Sequence, residues 1–598
     1  MLHRKIKTKM EAHHGRFLLC PAHADQSAGA RHSALYHPSC HRPSEAAGSR
    51  PPEDVPLRSM PAAPCLPDSR LHLLGGRAVQ TVTLPLSLRL YGHLYATAFL
   101  PLLLLIPFKK RWLRRIVTGM LCLSIGYCAG YQVLFQVNHG KAHNFTRLGW
   151  ADGFQHTVEA MRKEYVLSNW KQIDYDALLA EYLPRIEAAE AAGDQTAYGV
   201  ALAEYAYHFY DLHVGVSMPA ETRLAVRDQL AGNDYGLCLY TIDSGETIAV
   251  MVAEDGAAYA QGIRNGTVIT QWDGVPVAEA AATVECIYVG YNVQFPVREN
   301  EAKYRPLFLA GKGGDTIRVS YLDAAGEERT ATLTAAGSYR RSLGTAITLL
   351  QHDYLQDENF STKMLSDTCG YLRISEEEYA LAPAYLSYLR GGYFPKLTED
   401  VNAKLEALQA QGMQSLVLDL RNNSGGLNAV GTAVSSLFTK ERRFQFADGV
   451  RNGDSYRTTF HYDVFPDGRW ADLPVVVLVN QACMSAGDGA AFFLGQNDNV
   501  TLMGITASNG VNQSIGGRCY LRDGFSIKYP VFLTLGEDDL PLIDTDASRK
   551  NRIPLDVEIP VDRDAALRIF DMTSDDSDDY ALSYAMDYLQ ETRQLQAQ

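Results

Sequence analysis

Along the chain the spacing of apolar positions changes character several times, and each change marks a boundary. Residues 90–108 and 116–137 are almost continuously apolar and are separated by the loop "KKRWLRR" at 109–115. Each is near the ~20 residues a helix needs to cross a bilayer. Over 145–231 apolar residues recur at spacings of three and four, as in "FQHTVEAMRKEYVLSNW" and "DYDALLAEYLPRIEAAEAAGD". This predicts a helical cap, with one helix stopped at Gly193 and Asp194. Over 232–336 the pattern shortens to strands with turns such as Asp273-Gly274 and a short helix from Ala257. Over 343–566 the near-continuous apolar strands "CGYLRIS", "QSLVLDLRNNSGG" and "LPVVVLVN" alternate with the helices "EDVNAKLEALQAQGM" and "LNAVGTAVSSLFT". Such strands predict a sheet covered on both faces. A helical tail, 567–598, ends the chain. The expected class is a multidomain α/β and α+β protein. Residues 1–85, rich in His, Pro, Arg, Ser and Ala and without a sustained period, read as disordered.

At 598 residues the chain exceeds what one core holds, and 46% hydrophobic with 21% charged residues is ordinary for a globular protein. The net charge of -14 argues against a nucleic-acid binder. Five basic residues in 109–115 favour the cytoplasmic side for that loop. The two apolar segments then form a transmembrane hairpin or, since His93, Pro101 and Pro107 weaken the first, a single anchor. Either topology places the chain at the cell membrane with everything after residue 138 outside the cytoplasm. Cys238, Cys286, Cys369, Cys483 and Cys519 are too scattered for a zinc knuckle or a redox pair and read as small buried residues. No metal site is expected.

The candidate chemistry centres on "VLVNQACMSAGDGAAFFLG", where Ser485 stands at a turn between an apolar strand and a helix. A serine there is either an N-cap or a nucleophile whose hydroxyl faces free backbone N–H groups and the positive end of the helix dipole. An oxyanion beside Ser485 would accept from the Ala486 N–H and from an N–H of the Gly425-Gly426 turn, where missing side chains admit a substrate. His213, in "YAYHFYDLHVGVSM", lies at a helix-to-strand junction, and on its own is as readily structural as catalytic.

"LVLDLRNNSGG" followed by "PVVVLVNQACMSAGDGAAFFLG", behind a helical cap, resembles the C-terminal-processing (tail-specific) serine peptidase family. The resemblance covers roughly 150–566 and implies a ClpP/crotonase-like catalytic domain, a Ser485 nucleophile, an acyl-enzyme and no cofactor. The family has a Ser/Lys and a Ser/His branch. In the "GITASNGVNQ" segment where the first branch carries its base there is no lysine, and Lys528 in "FSIKYP" reads as an exposed strand residue. "DLHVGV" matches the motif of the tricorn-core-like Ser/His branch, which implies His213 as general base. Its orienting partner is left between Asp544 and Asp546, because Arg549 stands near the family's glutamate position. Asp488, in place of the family's glutamate three after the serine, reads as supporting the helix start.

"GIRNGTVITQWDGVPV" resembles a PDZ domain, which implies that Tyr235, Gly236, Leu237 and Cys238 form a loop holding a peptide C-terminus. The match departs after Val277, where the chain is longer than a PDZ helix needs. The expected function is a membrane-anchored extracytoplasmic serine endopeptidase acting on protein or peptide substrates. The alternative is a catalytically silent peptide-binding or scaffold protein that keeps the fold.

Overall fold

The computed structural model describes residues 111–138, 142–289, 294–353, 358–380, 391–573 and 578–596. The expected disordered segment 1–85 and the first apolar segment, 90–108, lie outside them. The described residues up to Arg593 belong to one compact unit. The second apolar segment falls in the helix Arg111–Asn138. Among the described residues no helix is long and apolar enough to cross a membrane. The span expected at 116–137 lies within this helix.

The cap is helical where the spacing predicts it. Helices Trp150–Glu164, Tyr175–Ala192, Gln195–Tyr207 and Ala220–Ala231 pack their apolar stripes together. Gly193, at φ +65, ends the second helix, and the Asp194 carboxylate caps the third through the Thr196 and Ala197 N–H groups. A short strand, Gly215–Ser217, follows the third helix, so His213 does sit between helix and strand.

The central layer is a six-stranded sheet in the order Val557–Glu558, Val500–Gly504, Val475–Leu478, Ser415–Asp419, Cys369–Arg373 and Thr362–Met364, parallel except at the last strand. The pleat explains the continuous apolar runs. Val417, Val476 and Leu478 face one core, which also contains much of 231–350 and the C-terminal helices. Leu416, Leu418, Val475 and Val477 face the other, shared with helices Pro395–Gln409, Asn428–Ser436 and Ala486–Gly495. The two faces thus bury successive side chains on opposite sides, as a covered sheet requires.

A second six-stranded sheet was not separated out by the sequence pattern. It pairs Ser526–Leu535 with Gln513–Tyr520, with Arg443–Asn452 and with the cap strand Gly215–Ser217; Ser455–Val464 and Ala142–Asn144 lie at its ends. Through the Gly215–Ser217 pairing this sheet joins the cap to the 443–535 region. In the 232–336 region, a hairpin of Cys238–Thr241 with Thr247–Val250 lies beside a four-stranded sheet of Val275–Pro276, Ile269–Trp272, Thr316–Leu322 and Glu328–Thr334. The helix Arg298–Leu309, from the long stretch after Val277, packs against Cys238–Thr241.

Candidate active site

The strand Val475–Leu478 runs into a turn whose last residue, Ser485, has φ 58 and ψ -125 immediately before the helix Ala486–Gly495. A non-glycine residue at positive φ is strained by on the order of 1–3 kcal/mol and persists only where the surroundings impose it. They do so here. The Ser485 N–H donates to Val511 O at 2.9 Å and the Met484 N–H to Asn423 O at 3.0 Å. The half-buried Ser485 makes no side-chain cap hydrogen bond, so its hydroxyl is not engaged in capping the helix it precedes.

The glycine turn packs against this serine. A Cβ at Gly425, φ +86, would lie 2.6 Å from Ser485 Cβ and 2.9 Å from Ala486 N. Only glycine gives this approach. The Gly425 N–H donates to Asn423 Oδ1 at 2.9 Å, so of the two glycines expected as oxyanion donors this one is already engaged. Its contribution is close approach. The Gly426 and Ala486 N–H groups remain as the candidate pair. Asn423 is held in turn by Glu377, whose Oε1 accepts from Asn423 Nδ2 at 3.1 Å. Glu377 is buried, its Oε2 has no partner, and its backbone brackets the turn through Glu377 N to Gly425 O at 2.9 Å and Leu427 N to Glu377 O at 2.8 Å. Burial pushes the Glu377 carboxyl up to about 8, against the opposing Asn423 hydrogen bond.

Asp488 does more than support the helix start. Its carboxyl accepts from the Gly510 N–H at 2.9 Å and the Val511 N–H at 3.1 Å, tying the helix to the loop that holds the Ser485 backbone. Burial pushes this carboxyl up to about 7.

His213 is buried, with Nδ1 3.6 Å from Asp211 Oδ1. That is an ion-pair distance and too long for a hydrogen bond, and Nδ1 makes none. Asp211 is the site residue that the sequence pattern showed but did not assign. Wholly buried, it accepts from the His213 N–H at 2.9 Å, Tyr165 OH at 2.7 Å and Gln513 Nε2 at 3.1 Å. Burial opposes its ionisation, yet His213, Lys171 and the Tyr165 hydrogen bond hold it below the usual carboxylate range. Gln513, the first residue of the strand Gln513–Tyr520, lies two residues after Val511, so one short stretch of chain holds both Asp211 and the Ser485 turn. Among the described residues no hydrogen bond joins Ser485 directly to His213.

Asp544 enters the same cluster without contacting His213. Its Oδ1 accepts from the Asn512 N–H at 3.2 Å, and its Oδ2 is buried with no partner. Burial, then the nearby Asp211 charge, push it up to about 8. Lys171, also buried, donates to Thr545 Oγ1 and Tyr210 O at 3.1 Å each; burial lowers its pKa against the raising effect of Asp211 and Asp544. Asp546 stays half-exposed in a turn, accepting from the Ser548 N–H at 2.8 Å, and is remote from this cluster's hydrogen bonds. Lys528 is not the exposed strand residue expected. It is half-buried, pairs with Arg518 and Gly215 across the second sheet, and burial followed by Arg518 lowers it to about 8. His208 meets Tyr182 OH at 2.8 Å.

The expected peptide-binding loop is closed. Tyr235, Leu237 and Cys238 are buried, and the Gly236 N–H donates to Asp234 Oδ1 at 2.8 Å. A peptide carboxylate would have to displace Asp234 to use that donor. All five cysteines after residue 138 are buried and free. Among the described residues no group of three or more His, Cys, Asp or Glu side chains is placed to hold a metal ion.

Residues 368–545 match the model of peptidase family S41. The chain is 30% identical over 164 residues to the carboxyl-terminal-processing protease of Picosynechococcus sp. (strain ATCC 27264 / PCC 7002 / PR-6), covering 25% of this chain and 38% of that protein. It is 26% identical over 221 residues to the carboxyl-terminal-processing protease of Synechocystis sp. (strain ATCC 27184 / PCC 6803 / Kazusa), covering 37% and 48%. The chain thus spans less than half the length of these two relatives. Among solved structures, mature CPAF is similar at TM-score 0.44 and 13% identity, over 68% of this chain and 92% of that one. The photosystem II D1 C-terminal processing protease is similar at TM-score 0.31 and 18% identity, over 71% and 99%.

Proposed function

From the match of residues 368–545 to the model of peptidase family S41, we propose that the chain is a serine endopeptidase of the carboxyl-terminal-processing type. The observation that carries this reading is Ser485 itself, held at positive φ with its hydroxyl unengaged in capping and pressed against Gly425. Ser485 Oγ attacks the scissile carbonyl while His213 takes its proton and returns it to the leaving amine. The carbonyl oxygen, negative in the tetrahedral intermediate, accepts from Ala486 N–H and Gly426 N–H, a contribution of about 2.7–4 kcal/mol per donor. Asp211 orients the imidazole and stabilises its charged form, while Asp544, pushed up to about 8, holds the Asn512 N–H beside Asp211. Water then releases the acyl-enzyme by the same proton route. The hydroxyl–imidazole bond closes when substrate binds, since such contacts are commonly loose in free enzymes.

A lysine base is the second reading, and Lys528, lowered to about 8, is the observation that favours it. Substrates are proteins or peptides, and the 232–336 region acts as a brace at the site in preference to an open peptide receptor. Attachment to the cell membrane, with the catalytic part outside the cytoplasm, belongs to the same reading. It is supported by the basic stretch 109–115 and the exposed Trp112, Ile116, Met120, Leu123 and Ile125. Protease added to intact cells should remove the chain beyond 138, and full protection would refute that topology. The activity itself is tested by hydrolysis of an unstructured polypeptide: wild type should cleave it and Ser485→Ala should not. Equal cleavage by both would remove Ser485 from the mechanism.

A further inference from the structure

The candidate nucleophile and base come from distant parts of the chain, and no direct bond between them sets their separation. One short segment touches the loops that carry both. Gln294 Nε2 donates to Val214 O, beside His213, at 3.1 Å. The Gln294 backbone oxygen accepts from Gln481 Nε2 at 2.6 Å and from Asn509 Nδ2 at 3.1 Å, and the Asn509 N–H donates to Cys483 O at 2.8 Å, two residues before Ser485. Six residues on, the buried Asn300 repeats the connection from the helix Arg298–Leu309. Its Oδ1 accepts from the Ala507 N–H at 3.0 Å, and its Nδ2 reaches Ala507 O at 2.9 Å, Ser508 O at 3.0 Å and Gln481 Oε1. That loop continues through Gly510 and Val511 to Asp488 and the Ser485 N–H. The other side of the segment is anchored by Glu301, which pairs with Arg549 at 2.9 Å and Arg305 at 3.2 Å, and by Thr545 Oγ1 donating to Pro296 O at 3.3 Å.

We propose that the insert 294–309, which the PDZ-like pattern does not require, is a clasp that sets the distance between the His213 loop and the Ser485 loop, with Gln294 and Asn300 as positioning residues. The proposal rests on the Ser485–His213 reading. Its physical basis is the steep dependence of proton transfer and attack on geometry, where a misplacement of about 1 Å can cost ~10²-fold in rate. Gln294 is the more telling residue. Its side chain gives one hydrogen bond to the histidine loop, while its backbone contacts to the serine loop survive substitution.

The test uses the full chain and a fluorophosphonate probe, with kcat and KM on a short peptide. Gln294→Ala should lower both the labelling rate and kcat by about tenfold with KM within about twofold, Asn300→Ala should lower them further, and Glu299→Ala, exposed on the same helix, should leave them unchanged. In a His213→Ala background, Gln294→Ala should add less than about twofold, because its effect passes through the histidine. A wild-type rate for Gln294→Ala overturns the proposal, as does an equal loss in both backgrounds, which would mark a scaffold effect independent of His213. Should Asn300→Ala fail to fold, Gln294→Ala decides alone. If His213→Ala itself costs nothing, or wild-type Ser485 is not labelled, the parent reading fails and the clasp fails with it, and these outcomes are distinct from the first two.

Discussion

Two buried charge clusters flank the glycine turn and behave in opposite ways. Behind the turn, Asp419 of the "LDLR" strand meets Arg421 at 2.6 Å and Arg373 at 3.2 Å and accepts from Tyr371 OH at 2.9 Å; Arg421 in turn meets Asp579, from the C-terminal segment, at 2.6 Å. Burial opposes ionisation of Asp419 and Asp579, but the arginines outweigh it and both are held below the usual carboxylate range. In front of the turn, Glu377, Asp488 and Asp544 are equally buried and have no arginine to pair with in these contacts; their pKa values rise to about 8, about 7 and about 8. Only Asp211, beside His213, stays low there. The first cluster is a lock whose charges satisfy one another. The second holds protons near neutrality, the condition that acid–base chemistry needs.

The sharpest break in this comparison is His213→Ala. It should lower kcat by about 10⁴–10⁶-fold, as removal of a base from a catalytic triad does, with little change in unfolding midpoint. Lys528→Ala should stay near wild type in the same assay. A reversal of the two would transfer the base to the second sheet.

Arg421→Ala attacks the lock. It removes the arginine that the buried Asp419 and Asp579 share, leaving Asp419 to Arg373 and Asp579 to His352, and should destabilise the chain by about 3–5 kcal/mol in urea unfolding. A loss under about 1 kcal/mol would show that water reaches the cluster.

Glu377→Gln separates the clusters by pH. The folded pKa of Glu377 is raised from 4.5 to about 8, so the folded state keeps a proton that the unfolded chain releases. Stability from this group is therefore full below about 4.5 and is lost as pH rises through about 8. The amide, which cannot ionise, should gain on wild type over that window, by on the order of 1–3 kcal/mol at the upper end. Equal pH dependence of the two would mean that Glu377 is already ionised. The smallest effect is expected for Asp546→Ala, about 0.5 kcal/mol or less in stability and no measurable change in kcat, because Asp546 only closes an exposed turn.

Local pattern carried most of the central sheet. The runs at 416–418 and 475–478 are apolar at every position and bury them in one core or the other, and Gly193, Asp194 and the glycine pair are punctuation that a turn needs. The junction positions of Ser485 and His213 were legible for a related reason, since each stands where an element changes. What was not legible depends on pairing between distant segments. The second sheet joins a strand near residue 215 to one near 530, and a solvent-facing edge gives its strands mixed polarity. Lys528 reads as exposed from alternation alone, because nothing local reveals that Gly215 lies across from it. Asp211 was visible only as the residue before the histidine motif, and Gln294, Asn300 and Glu377 gain their meaning from partners far along the chain.

The central claim, that the strain and packing at Ser485 serve to activate its hydroxyl, is tested most directly by mapping the site of fluorophosphonate attachment by mass spectrometry. The account predicts one adduct on wild type, at Ser485, absent from Ser485→Ala and formed far more slowly on His213→Ala. An unlabelled wild type, or an adduct that persists in Ser485→Ala, would contradict it.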